Sequence, residues 1–142
     1  MNRADWQQMA EEKLLAANAA LAASLWTSAY HLAGLAIELG LKSCVLARLA
    51  GSPELIFDEA NKEYSKKCYT HDIEDLVDLA GLKPELDSAK SATRALAGNW
   101  ATVVAWRIES RYEMKQPHEA QTLYNAISDP ISGVMQWIKA HW

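Results

Sequence analysis

The feature that most constrains the fold of this chain is a long apolar stretch, LWTSAYHLAGLAIELGLKSCVLARLAG, at residues 25–51. It predicts a helix over residues 24–50, because Gly51 and then Pro53 form the expected order of a helix stop. Apolar residues surround this helix on nearly every side, so we expect it at the centre of a bundle or in a subunit interface. The apolar set comprises Leu25, Tyr30, Leu32, Leu35, Ile37, Leu39, Leu41, Val45 and Leu46.

Two glycines and a charged pair inside this helix refine the expectation. Gly34 and Gly40 each lower helix propensity by roughly 1 kcal/mol relative to alanine, and we interpret them as points where a neighbouring helix approaches closely. Glu38 and Lys42 are four residues apart in the favourable order, which predicts a buried ion pair within the helix. Such charges are costly in a bilayer, so no membrane-spanning segment is expected here.

The rest of the chain also shows helical spacing of apolar residues, and no run of alternating β-branched residues predicts a strand. The chain is therefore expected to be all-α. A first helix over residues 5–22 has Asp5 as its expected N-cap. Another has Thr70 as its expected cap, His71 in its first turn and Gly81 at its end.

Two longer helices are expected in the second half of the chain. One spans residues 84–112, with a bend or interruption at the sequence AGNW, residues 97–100. The other starts at Pro117 and continues to the end, with a kink or break at Pro130. Its expected inward-facing residues include Leu123, Ile127, Ile131 and Ile138.

Length, charge and cysteine content narrow the class of protein. A chain of 142 residues is large enough for one domain with a genuine core. A net charge of −4 gives no overall attraction to nucleic acid, so any such binding must be local. Cys44 and Cys68 form no C-x-x-C pattern, and the N-terminus lacks the basic-then-apolar run of a secretory signal. A cytoplasmic location is expected.

Several well-known site signatures are missing from the sequence. It contains no glycine-rich phosphate loop and no G-x-S-x-G elbow, and HEAQT at residues 118–122 lacks the second histidine of a zinc-protease helix. The four histidines follow no zinc-ligand spacing. Neither a metal nor a cofactor is therefore expected.

Three ordered motifs do resemble a known family. The segments AYHLAGLAIELGLKSCVLARLAG, THDIEDLVDLAGL and NWATVVAWRIESRY are similar to those of the HEPN domain, and the resemblance extends over about residues 10–140. It implies a four- or five-helix up-and-down bundle that forms a homodimer. It also implies pairing, in many members, with a minimal nucleotidyltransferase in a toxin–antitoxin system.

The resemblance further implies a catalytic pair. Many HEPN members are metal-independent RNases whose motif is an arginine and a histidine separated by about four to six residues. The two copies of this motif, one from each subunit, meet in a shared cleft at the dimer interface. Arg111 and His118 fit the longest of these spacings. A histidine can serve as acid or base and an arginine can stabilise phosphoryl charge, so the residue types suit RNA cleavage. Active members commonly carry a tyrosine two residues after the histidine, where this chain has Ala120.

Other polar residues have both a structural and a functional interpretation. In the sequence ESRY, Glu109 is expected to hold Arg107 or Arg111, and Tyr112 to pack against the central helix. Alternatively, Glu109 and Tyr112 line the cleft of the dimer, together with three residues of the central helix: His31, Glu38 and Lys42.

Two functional hypotheses follow. The first is a dimeric HEPN ribonuclease toxin with Arg111 and His118 as its catalytic residues and a nucleotidyltransferase as its neutralising partner. The second is a catalytically inactive HEPN module that binds nucleotide, RNA or a partner protein through the same cleft.

Overall fold

The structure is a computed structural model that describes residues 2–51 and 67–142. Regular structure in these residues is entirely helical, which confirms the all-α prediction. The elements are α1 (Arg3–Ala22), α2 (Trp26–Gly51), α3 (Ile73–Leu79), α4 (Lys83–Ala92), α5 (Arg94–Val104), a 3-10 helix (Ile108–Tyr112), α6 (Pro117–Ser128) and α7 (Val134–Lys139). No helix within the two described ranges has the length and hydropathy needed to cross a membrane.

The described residues hold seven α-helices rather than four or five because two expected helices are divided. The expected helix over residues 84–112 is interrupted at Thr93, which adopts an extended conformation (φ −132°, ψ 103°). It ends at Val104, before the 3-10 helix. The bend expected at residues 97–100 is wrong, since these residues lie in the middle of α5.

The predicted break at Pro130 is confirmed, because α6 ends at Ser128 and α7 begins at Val134. The Asp129 carboxylate accepts hydrogen bonds from the backbone amides of Ile131 and Ser132, at 2.8 and 2.9 Å. These bonds replace helical ones and form a turn. Ile131 lies at this turn and is 88% exposed, so its expected inward position is wrong.

Both expected N-caps are displaced by two or three residues. Asn2 caps α1, and its side chain and that of Asp5 each accept from the backbone amide of the other residue. Asp5 is therefore the third helical residue of a capping box, not the cap. Asp72 caps α3, and Thr70 instead accepts from the backbone amide of Asp72. His71 precedes the cap and lies outside the helix.

A tight turn joins α1 to α2. Ser24 adopts the left-handed conformation, with φ at 61°. Its amide donates to the carbonyl of Leu21, and the next amide, that of Leu25, donates to the carbonyl of Ala20. These are the two bonds of a Schellman motif. Buried alanines on both helices allow their backbones to approach closely; they are Ala10, Ala17, Ala20, Ala29, Ala33 and Ala36.

Helix α2 is the central element, as predicted. Six consecutive residues, 36–41, are buried, so neighbours cover every side of the helix there. Gly40 lies against α7, where an added Cβ would be 3.0 Å from Cγ2 of Ile138. This confirms close helix approach at Gly40. At Gly34 the approaching group is instead the indole of Trp106, from the connection after α5. The helix includes Gly51, and the expected stop at Pro53 lies outside the described residues.

Candidate functional site

His31, Glu38 and Lys42 share one side of α2, because their spacings of seven and four residues correspond to whole helical turns. We call these three residues the α2 polar face. Gly34 lies between them, and the missing side chain leaves room for the ring of Trp106. Polar side chains are thus concentrated on one side of an otherwise apolar helix.

Glu38 is the most buried charged residue of this face, with 2% of its surface exposed. Its Oε1 atom accepts from Nζ of Lys42 at 2.8 Å, which confirms the predicted ion pair. The same oxygen lies 2.9 Å from Nδ1 of His71, a contact that the sequence did not predict. Because Oε1 already accepts from the ammonium group of Lys42, it is an acceptor here as well, and Nδ1 of His71 donates this bond. The second oxygen, Oε2, is buried and has no partner among the described residues.

His31 is stacked on Trp106, with ring centroids 6.2 Å apart and an interplanar angle of 27°. Burial lowers the pKa of the His31 imidazole below its ordinary value of 6.5, and the positive charge of Arg111 lowers it further. The neutral ring is therefore favoured. In the described part of the chain, Nδ1 of His31 and Nε1 of Trp106 are buried without hydrogen-bond partners.

Replacing Arg111 by glutamine is expected to raise the pKa of His31, because it removes a repulsive positive charge. The pKa of His31 is lower in the folded protein than in the unfolded chain. As the pH falls below about 6.5, the unfolded chain therefore binds the proton first, and the stability of the folded protein decreases. Titration of the His31 ring resonances by NMR measures the change, with Arg94→Gln as the control. An equal pKa in the two variants would contradict an electrostatic contact between Arg111 and His31.

Arg111 and Tyr112 lie at the end of the 3-10 helix and are both exposed. The guanidinium carbon of Arg111 is 4.8 Å from the centroid of the Tyr112 ring. Tyr112 is 78% exposed, so its expected packing against α2 is wrong. Ser110 is the residue of this turn that is buried. Glu109 is exposed, and it forms no ion pair with another described residue.

His118 is the second residue of α6 and is exposed. The start of α6 is held in place without it, because the Gln116 amide donates to the Glu119 carboxylate at 2.7 Å. The amide of Lys115 donates to Oγ1 of Thr27, which ties the connection before α6 to the first turn of α2, at 3.0 Å. Arg111 and His118 therefore lie at the two ends of an anchored connection. No hydrogen bond joins them within the described ranges.

The sequence did not single out Trp106 and Arg107 as site residues, and it treated His71 as a residue of a helical first turn. Residues 70–72 and 106–109 together line a half-open cavity of about 250 Å³ beside the α2 polar face. The missing Cβ of Gly34 was a signal that a bulky group approaches α2, but it did not identify the group. The contact of His71 with Glu38 spans 33 residues and has no local signal.

Some of the described residues are of the types that could bind a metal ion or act as a thiol nucleophile. Within residues 2–51 and 67–142, no three His, Cys, Asp or Glu side chains are grouped closely enough to hold a metal ion. Burial raises the pKa of the Cys44 thiol to about 12. Cys44 is therefore a protonated thiol at neutral pH and a poor nucleophile.

Comparison of the chain with models of known protein families, with curated proteins and with solved structures finds no match.

Proposed function

We propose that this chain is a HEPN-type protein that cleaves RNA without a metal ion, with Arg111 and His118 as its catalytic residues. The observation that carries this proposal is that the two side chains are exposed and are not paired with a carboxylate of the described residues. Each is therefore available to a ligand, whereas Glu38 and Lys42 of the α2 polar face are paired with each other.

The proposed reaction is an internal transfer at one phosphodiester. The 2′-oxygen of the ribose forms a bond to phosphorus, and the bond from phosphorus to the 5′-oxygen of the next nucleotide breaks. His118 takes the proton from the 2′-hydroxyl or gives one to the leaving 5′-oxygen. Arg111 donates hydrogen bonds to the phosphoryl oxygens, where charge increases in the transition state. The products are a 2′,3′-cyclic phosphate and a 5′-hydroxyl.

One histidine cannot be base and acid at the same time, so a second copy of the chain is the proposed source of the other proton-transfer group. A homodimer that places two Arg111–His118 connections in one cleft would supply both groups. A minimal nucleotidyltransferase is the proposed neutralising partner. This part of the proposal rests on the resemblance of the three sequence motifs.

Replacing Arg111 or His118 by alanine is expected to lower RNA cleavage by about 100-fold or more, because each removes a group used in the transition state. The measurement is the rate of cleavage of single-stranded RNA by the purified protein in the presence of EDTA, with analysis of the RNA ends. Arg94→Ala and His141→Ala are the matched controls, and circular dichroism checks that all variants fold. An inactive wild-type protein, or variants as active as the controls, would contradict the proposal.

A second function is favoured by the apolar surface beside Arg111. Tyr112 and Met114 are 78% and 88% exposed, and large apolar side chains are enriched where proteins bind partners. A catalytically inactive HEPN module would bind RNA, a nucleotide or a partner protein through this surface. RNA binding without cleavage, weakened by Tyr112→Ala and unaffected by His118→Ala, would favour this function over the nuclease.

A further inference from the structure

The connection between the 3-10 helix and α6 carries both of the proposed catalytic residues. Ser110 before it and Ala120 after it are buried, and every residue between these two is exposed or half-buried. The seven residue steps from Arg111 to His118 could span up to about 23–25 Å in an extended chain. Burial therefore fixes the two ends of this segment, and other contacts must position its middle.

One long-range hydrogen bond positions the middle of the connection. The amide of Lys115 donates to Oγ1 of Thr27 at 3.0 Å, and the two residues are 88 positions apart. Lys115 is half-buried, whereas the other residues from Arg111 to His118 are exposed. Thr27 lies in the first turn of the central helix α2. The connection is therefore attached to the core of the fold close to its midpoint.

The side chain of Lys115 adds a second contact with α2. Its Nζ atom lies 4.6 Å from the centroid of the Tyr30 ring and 3.1 Å from Oε2 of Glu113. Tyr30 follows Thr27 by three residues, so the two lie on the same side of α2. The backbone and the side chain of Lys115 thus both contact the start of this helix.

The hydroxyl of Thr27 is the part of this attachment that a substitution can remove cleanly. A backbone amide that leaves water needs an acceptor, and Oγ1 of Thr27 accepts from the amide of Lys115. Valine has nearly the shape of threonine but no hydroxyl, whereas serine retains the hydroxyl. Replacing Thr27 by valine is therefore expected to free the middle of the connection while preserving the size of the side chain.

We propose that Thr27 is a positioning residue of the nuclease, which holds the connection so that Arg111 and His118 reach the same phosphodiester. This inference rests on the proposed function. Thr27 acts through Lys115 and does not itself contact the RNA. A misplacement of catalytic groups by about 1 Å can lower a rate by roughly 100-fold. A connection released from α2 would therefore cleave RNA slowly, although both catalytic side chains are still present.

The first measurement needs no RNA. Hydrogen exchange of the Lys115 amide, followed by NMR, is compared between the wild type, Thr27→Val and Thr27→Ser. Exchange in Thr27→Val is expected to be roughly fivefold faster, because the amide loses its acceptor. Exchange in Thr27→Ser is expected to stay close to that of the wild type. An unchanged exchange rate in Thr27→Val would overturn the positioning role.

The second measurement is the cleavage of single-stranded RNA in the presence of EDTA. Thr27→Val is expected to lower kcat roughly tenfold with little change in KM, because misplacement weakens transition-state contacts more than binding. Thr27→Ser is expected to restore kcat. Thr102→Val is the control, since the Thr102 hydroxyl donates to the Gly98 carbonyl within α5. Urea unfolding of each variant shows whether it is fully folded under the assay conditions.

The outcomes distinguish this inference from the proposed function. If the wild type cleaves RNA and Thr27→Val has the same kcat as Thr27→Ser, the positioning role is overturned and the nuclease stands. If the wild type does not cleave RNA, the nuclease is overturned and the positioning role with it. A lower kcat in Thr27→Val alone, together with faster exchange of the Lys115 amide, is the result we expect.

Discussion

Replacing Gly34 by alanine is expected to destabilise the protein by about 3 kcal/mol, although alanine is the better helix former. An added Cβ at this position would overlap Nε1, Cδ1 and Cδ2 of the Trp106 ring. The overlap is with the face of a rigid indole, so a small rotation of a flexible side chain cannot relieve it. Trp106 would have to leave a site where only 3% of its surface is exposed.

The magnitude follows from what Trp106 would lose. Removing a buried tryptophan side chain costs about 3–5 kcal/mol, and the gain in helix propensity returns about 1 kcal/mol. Loss of burial therefore exceeds the gain in propensity. Displacement of Trp106 would also remove its stacking on His31. The packing of Trp106 on Gly34 and its contact with His31 are therefore lost together.

Urea unfolding of four variants measures this effect: Gly34→Ala, Gly98→Ala, Trp106→Ala and the double variant Gly34→Ala with Trp106→Ala. Gly98→Ala is the matched control, because Gly98 lies within α5 and an added Cβ there meets no atom within 4 Å. This control is expected to stabilise the protein by about 0.5–1 kcal/mol. In a Trp106→Ala background the overlap is absent, so Gly34→Ala is expected to stabilise the protein by a similar amount relative to Trp106→Ala alone. Equal effects of Gly34→Ala and Gly98→Ala would contradict the close approach of Trp106 to α2.

Replacing Lys42 by methionine is expected to cost about 3 kcal/mol, because it leaves the buried Glu38 carboxylate without its ammonium partner. The side chains of Lys42 and Glu38 are 15% and 3% exposed, so water replaces the lost interaction poorly. His71 still donates to Oε1, but one hydrogen bond does not compensate for a lost ion pair. The long methionine side chain preserves most of the packing of the lysine stem.

Two further variants distinguish the effect of burying the Glu38–Lys42 pair on stability from the effect of forming an ion pair at all. Lys83→Met breaks an ion pair of Lys83 with Asp87 at the same separation of four residues, but these side chains are 65% and 53% exposed. This control is expected to change stability by no more than about 0.5 kcal/mol. The double variant Glu38→Met with Lys42→Met is expected to recover most of the loss, because no buried charge remains. If Lys42→Met costs no more than Lys83→Met, burial of the pair does not determine its contribution.

The sequence predicted correctly those features that depend on neighbours within one or two helical turns. Apolar periodicity predicted the all-α fold, and all-round apolarity placed α2 at the centre. The spacing of Glu38 and Lys42 predicted their ion pair, since residues four apart in a helix are neighbours. The break at Pro130 follows from the chemistry of proline, which cannot continue the backbone hydrogen bonds of a helix.

Features that depend on distant contacts were predicted poorly. The interruption at Thr93 has no glycine or proline to mark it, and the sequence indicated residues 97–100 instead. Tyr112 has a large aromatic side chain, and for this reason it was expected to pack against α2. It is instead 78% exposed, because the 3-10 helix turns Ser110 rather than Tyr112 toward the interior. His71 was expected to serve its own helix, yet its ring donates to a carboxylate 33 positions earlier.

The sequence by itself therefore determined the class of fold, the central helix and the ion pair within it, because helical periodicity and i,i+4 spacing are local properties of a chain. The tertiary structure alone decided that Trp106 covers Gly34, that His71 contacts Glu38, and that residues 70–72 and 106–109 line one half-open cavity. These arrangements bring together residues from separate elements. Their positions depend on how the helices pack, which no local pattern encodes.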